Sequence, residues 1–393
     1  MGFYSRSSKT LPSFWSPNPG HDYAPINKDE GGDDPTAAIE PASRTVSHTL
    51  RERRRYNLLR LSSGLGWSIL FVSILTNIFT FVGLTRASPE DDPDAIFSNW
   101  GKPGTGTEDL AWYPTDFLRD VVPIRCHSHN DYWRKVPLFS ALHVGCISVE
   151  ADVWLFDKKP ELFVGHDTAS LTPNRTFESL YVNPLVELLN GSNPQTEFYN
   201  DTRRGVFDYD PEQTVVLLVD LKTDGAKTWP RVLSQLEPLR SRGWLTYFED
   251  GVVHPGQVTV VGTGNTPFDL VVQNSTYRDA FFDAPLGDMW EDPSSANPPS
   301  IRDGPAHDDK NSFYASTSLF EAVGIVWGSF SERQLGIIRG QIKGAHRRGL
   351  KARYWDTPSW PISVRNEVWR TLIKEGADIL NVDDLKAAAE TEW

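Results

Sequence analysis

Cysteine and methionine are scarce, with two of each in 393 residues. A zinc ribbon and a disulfide framework both need more thiols than that, so neither organises this chain. Cys126 and Cys146 are read as two buried thiols near strand ends, a single disulfide between them being the alternative. Basic residues are also in deficit, since 39 Lys and Arg face 52 Asp and Glu and leave a formal net charge of -13. Nucleic-acid binding draws on a clustered excess of Lys and Arg, so that class of partner is excluded, whereas an acidic surface suits cations. No internal repeat is visible, and nothing marks an obligate protein partner. What the chain does have is an apolar share of 39% that includes 14 Trp, 20 Phe and 12 Tyr. That is enough for a sizeable core, and the length suits one barrel of roughly 250 residues with an N-terminal extension.

Residues 1–50 are rich in Ser, Pro, Gly, Asp and Asn without apolar periodicity, which predicts a disordered tail. Arg51, Arg53, Arg54, Arg55 and Arg60 follow, and then residues 65–84 form an uncharged, largely apolar run. At about 1.5 Å per residue a helix of that length spans a hydrocarbon layer of roughly 30 Å, which predicts one transmembrane helix. The arginines precede the run, whereas Glu90, Asp91, Asp92 and Asp94 come after it. The positive-inside rule then keeps the N-terminus cytosolic and places the rest in a lumen or outside the cell, as a single-pass type II membrane protein. Four glycosylation sequons, at Asn174, Asn190, Asn200 and Asn274, lie on that side. Residues 87–118 read as a linker.

From residue 119 to 393, short β-rich runs alternate with helical stretches, the pattern of a parallel α/β domain. The expected strands are Val121 to His127, Ile147 to Leu155, Thr214 to Lys222, Gln257 to Gly262, Ala280 to Ala284, Phe313 to Ser318, Leu350 to Trp355 and Ile379 to Val382. Helices are expected over Trp229 to Ser241, Ser331 to Arg348 and Ser363 to Glu375, while 156–212 and 284–311 read as loops. Eight strands in one domain predict a TIM-type (β/α)8 barrel, with its active site at the C-terminal ends of the strands.

Four motifs fall at those ends. Cys126-His-Ser-His-Asn-Asp-Tyr132 offers imidazoles that transfer protons near neutral pH. In Val149-Glu150-Ala-Asp152-Val, the i, i+2 spacing turns both carboxylates to one face of a strand, while Ile147, Val149, Ala151 and Val153 take the other. Carboxylates converging in a barrel mouth repel unless a proton or a cation lies between them, so the pair reads as half of a hard-metal site. Gly165-His166-Asp167 brings a further imidazole at a turn, and the apolar strand before Asp220-Leu-Lys222 ends in an acid and a base on one face. Asp220 would complete the metal shell, and Lys222 would neutralise a phosphate oxygen.

The order of these motifs resembles that of phospholipase C-like phosphodiesterases. More narrowly, with Tyr354-Trp-Asp-Thr-Pro358 and Asn381-Val-Asp-Asp384, it resembles fungal homologues of altered inheritance of mitochondria protein 6. The resemblance implies hydrolysis of a phosphodiester or phospholipid with His129 and His166 as acid and base. It further implies one Ca²⁺ or Mg²⁺ on Glu150, Asp152, Asp220 and Asn130, phosphate on Lys222, and Trp355 and Asn381 lining the substrate pocket. The sequence departs from the glycerophosphodiesterase pattern, in which Arg-Gly follows the first histidine, and Asn130-Asp-Tyr132 is nearer the phosphoinositide enzymes. Two rivals are a catalytically silent lumenal barrel that binds a headgroup or a partner, and a metal-dependent amidohydrolase using His127 and His129.

Overall fold

In a computed structural model of the protein, residues 65–78, 99, 102–104, 117–199, 202–295 and 306–390 are described. The predicted tail, residues 79–84 of the apolar run, most of the linker and Asn200 lie outside them. The chain divides into two compact units, Met1–Ser98 and Asn99–Trp393. In the first, residues 65–78 form a helix whose side chains are exposed throughout. Among the described residues no helix is long and apolar enough to cross a membrane.

Among the described residues the second unit holds twelve strands: β1 (Ile124–Ser128), β2 (Cys146–Trp154), β3 (Phe163–Val164), β4 (Val215–Leu221), β5 (Tyr247–Glu249), β6 (Val252–His254), β7 (Val258–Gly264), β8 (Tyr277–Arg278), β9 (Phe281–Pro285), β10 (Ser312–Ser318), β11 (Lys351–Trp355) and β12 (Ile379–Val382). Eight of them run parallel in the order β1-β2-β4-β7-β9-β10-β11-β12, and β12 pairs back to β1 to close the barrel. Each of the eight expected strands is present to within a few residues. β3 folds back antiparallel on β2, and β6-β5-β8 form a separate small sheet.

Alternation along the strands sorts side chains into two layers. Val149, Ala151, Val153, Leu217 and Val219 face outward into the main core, where Trp229 and Trp369 from the surrounding helices are fully buried. Val216, Leu218, Val261, Tyr314 and Ile379 face inward and form the apolar plug beneath the site. The longer helices are α1 (Asn183–Ser192), α2 (Gly225–Gln235), α3 (Glu332–Arg347) and α4 (Ile362–Lys374). Ser331 caps α3 in a reciprocal box with Gln334, a local signal that sets its start.

Two expectations need correction. The stretch 156–212 is not simply a loop, because it contains β3 and α1, whose Leu185 and Leu189 bury one face. Its Asn, Pro and Ser content masked that four-residue spacing. The cysteines are not free thiols: Cys126 and Cys146 form a disulfide, their Cα atoms 4.7 Å apart. Adjacent strands of one barrel bring them that close, within the usual span for such a bond.

Candidate active site

Strand register, more than any motif, assembles the site. β2 and β4 pair so that Asp152 lies opposite Asp220, two residues on from Glu150 opposite Leu218. Ligand oxygens of Glu150, Asp152 and Asp220 consequently lie within 4.8 Å of one another. Lys222 Nζ bridges two of them, 3.0 Å from Asp152 and 2.8 Å from Asp220. Gly264, opposite Leu221 on β7, has a φ of +63°, and a Cβ there would overlap the Asp220 carboxylate. A glycine is required for both reasons.

Burial shapes the charges of this cluster. Desolvation, reinforced by the neighbouring Glu150 charge, pushes the Asp152 carboxyl up to about 7 against the pull of Lys222. Burial raises Asp220 as well. Burial would also raise Glu150, but the charges of Arg353 and His129 hold it far below the usual carboxylate range. The resulting site is one ionised carboxylate beside two that hold protons more tightly than usual, sharing one ammonium. Asp152 Oδ1 is buried without a hydrogen-bond partner. An orphaned carboxylate oxygen on one of three convergent acids makes a donor set suited to a hard divalent cation, so these residues fit the expected ion.

The two expected proton carriers stand on either side. His129 Nδ1 is 2.9 Å from Asp383 Oδ1, and Nε2 is 3.8 Å from Glu150. Burial alone would lower its pKa, but the bond to Asp383 and the charges of Glu150 and Asp383 raise it. With Nδ1–H donating to Asp383, the second proton site is Nε2, which lies 3.4 Å from Asn130 Nδ2. His166 is half exposed, set over the mouth by the β2–β3 return, where Trp154 Nε1 donates to the Gly165 carbonyl at 2.7 Å. Its Nδ1 is 3.2 Å from the Tyr132 hydroxyl and 3.9 Å from Asp152.

Asn130 adopts a left-handed conformation with φ 47°, a region Asn tolerates. Its backbone N–H donates to Glu150 at 3.0 Å, and its Oδ1 accepts from the Tyr132 hydroxyl, which also contacts Asp152 at 2.7 Å. Of the two expected pocket residues, Trp355 is partly exposed at the end of β11, but Asn381 is buried, its Oδ1 accepting from Arg353 Nε at 3.1 Å.

Arg353 is the residue that sequence reasoning missed. Buried on β11, it reaches His127 Nε2 at 3.2 Å, Ser316 at 3.4 Å and Asp283 at 3.8 Å. A guanidinium only donates, so His127 Nε2 accepts and its Nδ1–H donates to Ser148 Oγ at 2.6 Å. Burial and the Arg353 charge hold His127 down to about 3, neutral in the working range. No sequence motif announced Arg353, because its partners come from four other strands. Arg134, also unforeseen, donates to the carbonyls of His129 at 3.1 Å, of Val382 at 3.2 Å and of Asp383 at 2.5 Å, stapling the loop after β1 to the end of β12.

Comparison with known proteins agrees with this geometry. An AIM6-like phosphodiesterase domain matches residues 115–283. An altered inheritance of mitochondria protein 6 homolog from Arthroderma benhamiae is 45% identical over 288 residues, covering 70% of this chain and 86% of that protein. The chain belongs to this family. The altered inheritance of mitochondria protein 6 of Eremothecium gossypii is 38% identical over 69% of this chain and 70% of its own, and that of Saccharomyces cerevisiae RM11-1a is 34% identical over 69% and 71%. No solved structure matches significantly. The matched domain is a phosphodiesterase and so implies a hydrolase.

Proposed function

We propose that this family member is a metal-dependent phosphodiesterase acting on a lipid-derived phosphodiester, either a glycerophosphodiester or a phospholipid. One observation carries the reading: three convergent carboxylates and a lysine lie at the barrel mouth between two imidazoles. Glu150, Asp152 and Asp220 would hold one Ca²⁺ or Mg²⁺, with Asn130 Oδ1 beside them, and the ion when bound supplies positive charge for a phosphate oxygen. Lys222 adds a second cation for the non-bridging oxygens. His129, its Nδ1 anchored by Asp383, exchanges a proton at Nε2, and His166 serves the opposite side. One of them deprotonates water or a substrate hydroxyl while the other protonates the leaving oxygen, each worth about 10²- to 10⁴-fold. Trp355 would line the pocket, whereas Asn381 acts on it through Arg353.

The amidohydrolase alternative is disfavoured by His127, both of whose nitrogens are occupied by Ser148 and Arg353. The silent-barrel alternative sits poorly with a complete set of proton carriers and acids. We also infer that residues 65–84 anchor the chain as a single transmembrane segment, with the barrel lumenal or extracellular. The disulfide supports an oxidising compartment. Exposed sequon asparagines at 174, 190 and 274 support the same side.

The test is hydrolysis of a chromogenic phosphodiester by the full chain in detergent, with Ca²⁺ or Mg²⁺, against chelator and against His129→Ala and Glu150→Ala. Loss of turnover in all three supports the assignment. Turnover that survives both substitutions places the chemistry elsewhere, and a folded but inactive wild type favours the silent barrel.

A further inference from the structure

Exposed tryptophans of the barrel unit are concentrated at one end. Among the described residues, Trp133, Trp327 and Trp360 are 59%, 85% and 78% exposed, and each lies on a loop leaving the C-terminal end of a strand. Trp355 is at the same end, Trp290 lies on the flank beside α3, and no described tryptophan is exposed at the opposite end. The loops in question follow β1, β10 and β11, which together with β12 are consecutive in the barrel, so they adjoin on one arc of the rim. Phe320, Ile325 and Ile362, each more than half exposed, lie in the same connections after β10 and β11, Ile362 at the first turn of α4.

Water-facing side chains of this size cost free energy unless something covers them, and exposed apolar patches of this kind mark interaction sites. The arc is also continuous with the site, because the Trp133 ring lies against His166 with centroids 4.8 Å apart. Charges among these loops are mixed: Lys135 and Arg333 are exposed alongside Glu321, Asp356 and Asp383. Nothing there selects an anionic surface. Tryptophan is the side chain best suited to a membrane interface, with an apolar body and one N–H for the headgroup layer.

We infer that this arc docks the barrel mouth onto a zwitterionic lipid surface, so that the site meets a phosphodiester still lying in a bilayer. The inference deepens the proposed phosphodiesterase function by naming where its substrate resides. The chain itself favours a lipid occupant over a protein, since its apolar run at 65–84 suits a bilayer and residues 85–116 have up to roughly 110 Å of contour with which to reach it.

The test uses the full chain reconstituted in phosphatidylcholine nanodiscs, with an environment-sensitive dye at Trp327→Cys or, at the opposite end, at Tyr209→Cys. Docking predicts blue-shifted emission and quenching by spin-labelled lipid at position 327 and neither at 209, unchanged by salt. Equal behaviour at the two positions overturns it, as does protection at 327 that needs an added protein. In W327A/W360A, turnover of a bilayer-embedded phosphodiester should fall about 100-fold, roughly tenfold per tryptophan, with a soluble phosphodiester unaffected. Equal loss on both substrates also overturns it. If neither substrate is cleaved by the wild type, the phosphodiesterase reading fails, and the dye measurement still decides the docking.

Discussion

Protons and the divalent cation should compete for Asp152, and the structure sets the size of that competition. Its carboxyl is pushed up to about 7 by burial and by the Glu150 charge. A carboxyl with that pKa is about three-quarters ionised at pH 7.5 but only about 3% ionised at pH 5.5, so the cation's apparent affinity should fall on the order of tenfold or more across that range. Glu150, held far below the usual carboxylate range, stays ionised throughout and adds nothing to the slope. The raised pKa values of Asp220 and His129 act in the same direction as Asp152 and steepen the fall. In the metal-free protein the folded Asp152 keeps a proton that the unfolded chain has released. Its contribution to stability is therefore present at low pH and is lost as pH rises from about 4 through about 7. Titration calorimetry with Ca²⁺ and with Mg²⁺ at three pH values measures the effect directly. An affinity that is flat, or that rises as the pH falls, would refute the assignment of these carboxylates to the ion.

Three other outcomes follow from the same geometry. Asp383→Asn should lower kcat by about 10²- to 10³-fold with little change in KM, since it removes the carboxylate that orients His129; a steady-state comparison checks this. Arg353→Met leaves Asp283 and Asn381 buried without their cation and should destabilise the protein by about 3 kcal/mol in denaturant unfolding, with Asp283→Asn in the same chain restoring part of the loss. Gly264→Ala should cost about 1–3 kcal/mol and weaken cation binding in calorimetry, because the new methyl displaces Asp220 from a residue already at positive φ.

The sequence by itself was enough to establish the eight-strand alternation, the ends of most strands and the residues that converge at the mouth. These depend on local facts: apolar runs of strand length, an i, i+2 carboxylate pair that must share a face, and Ser331 opening α3. It also carried the charge asymmetry around residues 65–84 that sets the proposed topology. It could not show α1, whose polar and proline-containing surroundings hid a short apolar stripe, nor the pairing of Cys126 with Cys146, which rests on two strands being neighbours. Asp383, Arg134 and above all Arg353 became visible only in the folded barrel. Each is defined by partners more than two hundred or a few tens of residues away, and only the closure of β12 on β1 and the register of β2 on β4 bring such groups within hydrogen-bond distance. Residue type and spacing identify which groups can do chemistry, but their charge states follow from burial and from neighbours across strands, and those belong to the tertiary structure alone.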